Sequence, residues 1–89
     1  MLSGLRSLLD GLTAEEGIEY HELRFRETGG RVLMEVHLLF SCGCPLGDAH
    51  EVATRVEDRL IVGFGRPLQV TTHLEASESH EEHHRVRQN

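Results

Sequence analysis

Leu68-Gln69-Val70-Thr71-Thr72-His73-Leu74-Glu75 alternates without a break. Leu68, Val70, Thr72 and Leu74 fall on one side, and Gln69, Thr71, His73 and Glu75 on the other, which is the period of a half-buried strand. The polar side closes on a histidine and a carboxylate that share parity, so both project the same way. An imidazole and a carboxylate on one rigid face are the beginning of a cation site. Taken alone, they are equally well a solvated strand face.

Working back from this strand, Gly63, Gly65 and Pro67 are stop signals for a preceding helix. That helix is expected from about Leu46 to Phe64, with Ala49, Val52, Ala53, Val56 and Leu60 on its buried stripe and Glu51–Arg55 as a favourable i, i+4 pair. Ser41-Cys42-Gly43-Cys44-Pro45 reads as a loop. Before it, Arg31 to Phe40 is the clearest strand in the chain. Val32, Met34, Val36, Leu38 and Phe40 form an unbroken apolar face, while Glu35 and His37 share the other face with Leu33 and Leu39. Two leucines on a sheet face opposite the core suggest a partner surface.

Thr28-Gly29-Gly30 is a hairpin turn, joining this strand to one over Ile18 to Glu27. In that first strand Leu23 and Phe25 are expected to face the core, and Glu22, Arg24 and Arg26 to face outward. Strict alternation puts His21 on the Leu23 side, facing the helices, unless the strand starts irregularly there. Leu5, Leu8, Leu9 and Leu12 mark an opening amphipathic helix, with Ser3 as its N-cap, and Gly11 and Gly17 fall near its end and in the connector that follows. The order α-β-β-α-β predicts a two-layer α+β domain of ferredoxin-like or metallochaperone-like type with a three-stranded sheet. A right-handed return is expected to set the last strand beside the first. Residues 1–76 make this domain. Residues 77–89 are polar, His-rich and without periodicity, and are expected to be disordered.

The 89 residues suffice for one small domain with a thin core, a size that leans on oligomerisation or a metal. A hydrophobic content of 38% with 27% charged residues is an ordinary globular balance. The net charge of −6 argues against nucleic acid, and with 7 histidines suits cations better than phosphates. No apolar run is long enough to insert in a membrane, and the start is no signal peptide, so a cytoplasmic location is expected. Two cysteines one residue apart build no disulfide framework. No catalytic triad arrangement and no phosphate-binding loop is present, so the expectation is a protein that is not an enzyme.

His21, His37, His50 and His73 lie inside expected elements, but their separations match no local zinc motif, so the fold must assemble any site. His37 and His73 fall on the outward faces of two strands, with Glu75 near. His50 opens the long helix off its buried stripe, so it joins them only round the sheet edge or between two subunits. Cys42 and Cys44 can chelate a borderline metal as thiolates, or stand as plain loop thiols. His80, His83 and His84 make a loose chelator in the tail.

Taken in order, Tyr20-His21-Glu22-Leu23-Arg24-Phe25-Arg26, Glu35-Val36-His37-Leu38, Asp48-Ala49-His50-Glu51-Val52-Ala53 and Val70-Thr71-Thr72-His73-Leu74-Glu75 resemble the cytoplasmic C-terminal domain of cation diffusion facilitators, the zinc-transporter type of divalent cation antiporter. The resemblance runs from about Leu5 to Ala76. It implies a homodimer that binds zinc or another divalent transition metal on and near the dimer interface and thereby regulates transport. It implies His21, His37, His50, His73 and Glu75 as metal ligands. Cys42 and Cys44 depart from the family pattern and offer an additional site. The membrane half of the family is missing from this sequence, which implies either an excised domain, whose partner is a membrane transporter domain, or a stand-alone homologue that senses or buffers metal. The alternatives are a soluble metal carrier using Cys42 and Cys44, and a plain oligomerisation module with incidental histidines.

Overall fold

The computed structural model describes residues 2–76. Helices α1 (Leu2–Glu16) and α2 (Leu46–Phe64) cover one face of a three-stranded sheet made of β1 (Glu19–Thr28), β2 (Arg31–Phe40) and β3 (Leu68–Ala76). The α+β, two-layer, ferredoxin-like architecture is the one the sequence predicts. The tail lies outside the described residues.

The core forms where three periodicities meet. Leu5, Leu9 and Leu12 of α1, Ala49, Ala53, Val56 and Leu60 of α2, and Val32, Met34, Val36, Leu38 and Phe40 of β2 are all buried in one cluster. Each large aliphatic side chain removed from water here contributes about 1.5–3 kcal/mol. Small residues at 49 and 53 let α2 lie close to the sheet. The helices approach closely too: a Cβ on Gly63 would sit 2.7 Å from Leu8 Cδ2, so a larger residue there requires the Leu8 side chain to move. Gly65, with φ 74°, ends α2 in the left-handed conformation that costs a side-chain-bearing residue free energy.

The start of α1 is corrected: Ser3 does not cap it, because the helix already includes Leu2, and Gly11 lies in its interior, while Gly17, with positive φ, stands in the connector as expected. Glu51 favours the charged Arg55 guanidinium from one turn back on the same helix. The hydrogen bonds of Arg55 go to α1, where it donates two to Glu16 at 2.9 Å, and Arg59 likewise meets Glu15 at 2.7 Å. The acidic end of α1 is thereby tied to the flank of α2.

The strand order is also corrected. β3 does not lie beside β1; the order is β1-β2-β3, with β1 and β2 antiparallel and β3 parallel to β2. The reason is in the composition of β2. Its second face carries the half-buried Leu33 and Leu39, whereas β1 carries Glu19, Glu22, Arg24, Arg26 and Glu27, all exposed. An apolar strand gains most from two neighbours, and a charged one is suited to an edge.

Candidate metal centre

The register places three histidines in a row. His21 of β1 is the cross-strand partner of His37 of β2, and His37 is the partner of His73 of β3. Strands are spaced at about 4.8 Å, and the rings follow: the His21 and His37 centroids are 5.3 Å apart and edge-on, and those of His37 and His73 are 4.7 Å apart and stacked. The row lies on the open face of the sheet, opposite the helices.

His21 reaches this face through a β-bulge. Between the His21–His37 and Arg24–Glu35 pairs, β1 has an extra residue, and Glu22 there has φ 54°. A bulge sets two residues against one and shifts the phase of alternation. Tyr20 pairs with Leu38 on the helix side, Phe25 pairs with Met34 on the same side, and His21 between them is turned outward. The helix-facing placement that strict alternation predicted for His21 is therefore corrected. The signal was in the sequence, because Tyr20-x-x-Leu23-x-Phe25 skips one step of its apolar period.

Glu75 links two of the three histidines. Its carboxylate meets His21 Nε2 at 3.1 Å and is in contact with His37 Nδ1. The carboxylate is only 18% exposed. Burial opposes its ionisation most strongly, but the hydrogen bonds from His37 and His21 together outweigh burial and hold its pKa below the ordinary carboxyl value. Two further carboxylates, absent from the sequence-based set, flank the row. Glu35 accepts from His73 Nε2 at 2.7 Å, a bond that lowers the Glu35 pKa. Glu22 stands 3.5 Å from His37 Nε2. Both meet their histidines only through the cross-strand register and the bulge, so local spacing did not mark them.

One donor each from His21, Glu22 and His37 lies within 4.8 Å of the others. Imidazole nitrogen and carboxylate oxygen in that arrangement suit zinc and other borderline divalent cations. Of the other sequence-predicted residues, His50 is exposed on α2, in the layer behind the sheet and away from the row. Cys42 and Cys44 are not joined in a disulfide; with Leu46, Leu74 and Glu75 they line a hollow of about 190 Å³ at the end of β3. They are not part of the group of converging donors. His80, His83 and His84 lie outside the described residues.

The family described as the cytoplasmic domain of cation efflux proteins matches residues 5–77. No curated protein matches the sequence. Among solved structures, CzrB, described as a candidate zinc transporter, is 29% identical, with a TM-score of 0.77, 85% of this chain covered and 92% of that one. Its zinc form is 28% identical, with a TM-score of 0.77 and coverages of 86% and 85%. The metal-bound C-terminal domain of the CzcD transporter from Thermotoga maritima is 17% identical, with a TM-score of 0.73 over 82% of this chain and 87% of that one, and shares the fold.

Proposed function

This chain belongs to the family of cation efflux protein cytoplasmic domains, and from that premise we propose that it is a metal-binding regulatory domain. It acts as a homodimer, takes up zinc or a similar divalent cation at the row His21–His37–His73 with Glu75, and changes the placement of its subunits when it does so. Its partner is a membrane transporter domain. No helix among the described residues is long and apolar enough to cross a membrane itself.

The observation that carries this reading is the register that aligns three imidazoles on one face, two of which, His21 and His37, share the Glu75 carboxylate. Incidental histidines have no reason to occupy the same rung of three strands. The zinc form of the CzrB structure supports zinc as the first cation to test. His50 enters such a site only from a second copy, because in its own chain the sheet separates it from the row. Half-buried Leu33 and Leu39 beside the row give that copy apolar surface to cover.

Titration calorimetry with zinc on the wild type and on His37→Ala tests the proposal. The expected result is loss of the tightest binding event in the variant. Unchanged binding in His37→Ala refutes the reading.

A further inference from the structure

Cysteine is among the most often buried of side chains, yet Cys42 is exposed and Cys44 only half-buried. They are the chain's only cysteines and stand one residue apart. A turn fixes their relation. The Cys44 N–H donates to Ser41 O at 3.0 Å, which sets Cys42 second and Cys44 fourth in a four-residue turn. Both line one hollow of about 190 Å³, between the ends of β2 and β3 and the start of α2. Most of the remaining wall is carbon, from Phe40, Leu74 and the exposed Leu46. Glu75 also borders the hollow, but its carboxylate is engaged by His21 and His37.

We propose that Cys42 and Cys44 form a second metal site, a two-thiolate clamp for a soft cation such as copper(I), separate from the histidine row. Sulfur donors select soft cations, whereas imidazole with carboxylate suits borderline ones. Copper(I) is satisfied by a pair of thiolates, so the turn supplies a complete ligand set. Borderline cobalt(II) enters the same pair with water completing its shell, which makes it a spectroscopic probe of the clamp. An apolar surround limits the access of solvent to the bound metal.

The charges and hydrogen bonds around the turn are compatible with this role. Each thiol gives up its proton on binding, and two thiolates around a monovalent cation carry one net negative charge. That charge falls beside the start of α2, whose positive end favours it as it favours Asp48 in the first turn. The capping residue there is Pro45, which makes no side-chain hydrogen bond to that end. Deprotonation strands no acceptor. The weak Cys44 S–H contact to Pro45 O at 3.6 Å is lost, but that carbonyl keeps the Ala49 N–H at 3.0 Å. The clamp does not depend on the row, and the chain can hold a soft and a borderline cation at once.

The test titrates the reduced full chain with copper(I) against a coloured copper(I) chelator, beside Cys42→Ser, Cys42→Ser/Cys44→Ser and His37→Ala. The wild type should withdraw one copper(I) per chain and gain thiolate-to-copper absorption in the ultraviolet. Both serine variants should lose that withdrawal, because a single thiolate makes no clamp, and should keep wild-type zinc affinity by calorimetry. His37→Ala should keep its copper(I) uptake. Unchanged uptake in the double variant would assign the copper to other groups and overturn the proposal. Half the loss in Cys42→Ser would also overturn it, as the mark of two independent thiols. Loss of zinc affinity in the double variant would overturn the separateness of the two sites. A second measurement needs no variant: saturating copper(I) should protect both wild-type thiols from alkylation by iodoacetamide, and unprotected thiols would refute the clamp.

Discussion

Replacing His37 with alanine should remove most of the thermal protection that zinc gives this domain. His37 lies on the central strand, and its ring contacts Glu75 on one nitrogen and faces Glu22 on the other, with His21 and His73 as ring neighbours. No other residue in the row touches so many donors. A cation that binds only the folded state stabilises it by RT ln(1 + [L]/Kd), about 2.7 kcal/mol at a hundredfold excess over Kd. For a domain of this size about 1 kcal/mol moves the midpoint by 4–8 °C, so the wild type should gain about 10–20 °C. If loss of His37 weakens binding about a hundredfold, the same zinc concentration sits near the new Kd, and the gain falls to about 0.4 kcal/mol, or a few degrees. Differential scanning calorimetry at matched zinc, with and without chelator, measures both numbers. A wild type that binds zinc by calorimetry but melts at the same temperature with and without it would refute the reasoning, because the cation would then have no preference for the folded arrangement.

Further outcomes follow from the same geometry. Because the folded-state pKa of Glu75 lies below the ordinary value of 4.5, its contribution to stability is present above that value and is lost as pH falls through the lower folded-state pKa. The metal-free chain should therefore lose stability in acid below about pH 4.5, and Glu75→Gln should show a shallower loss; superimposable acid-unfolding curves would remove Glu75 from the account. If Cys42 and Cys44 ligate metal in the hollow they line, reduced protein with cobalt(II) should show thiolate-to-metal charge transfer that Cys42→Ser/Cys44→Ser abolishes, and its absence would leave them as loop thiols. Sedimentation at ~100 μM should show a dimer. Zinc should reduce its radius of gyration in solution scattering, and a monomer with and without zinc would exclude the subunit movement.

The element order and nearly all element boundaries were legible because local signals agreed. Unbroken alternation gave β2 and β3, the apolar stripe with Gly65 and Pro67 gave α2, and paired glycines gave the hairpin, where both have positive φ. The strand order was not legible by the same means. Alternation states which side of a strand is buried and is silent about its neighbours; the evidence lay in the charge contrast between β1 and β2. His37, His73 and Glu75 were legible as face-sharing ligands because parity within a strand suffices for them. Glu22 and Glu35 were not, because their contacts cross from strand to strand and depend on the register. His21 was half legible: strict alternation turns it inward, and only the broken spacing of Tyr20, Leu23 and Phe25 marks the bulge that turns it outward.

The rigidity of the row bears on how a cation could regulate anything here. Its ring spacings are set by backbone pairing of three strands, on a sheet whose other face is pinned by Val32, Met34, Val36 and Leu38, all nearly or fully buried. A cation at His21 and His37 therefore selects among side-chain rotamers and does not rearrange strands. Inside one chain its effect is confined to mass action on stability. A cation shifts an equilibrium only by its differential affinity for two arrangements, so two arrangements must exist somewhere, and a single sheet face does not supply them. A second copy does. With −6 net charge on each chain, two open faces carrying Glu22, Glu35 and Glu75 resist approach. On the proposed reading, a divalent cation would neutralise that charge and leave coordination positions for the opposing chain. The movement that we propose as the regulatory output thus belongs between subunits, and His50, stranded on the helix layer of its own chain, is the ligand whose contribution depends on it.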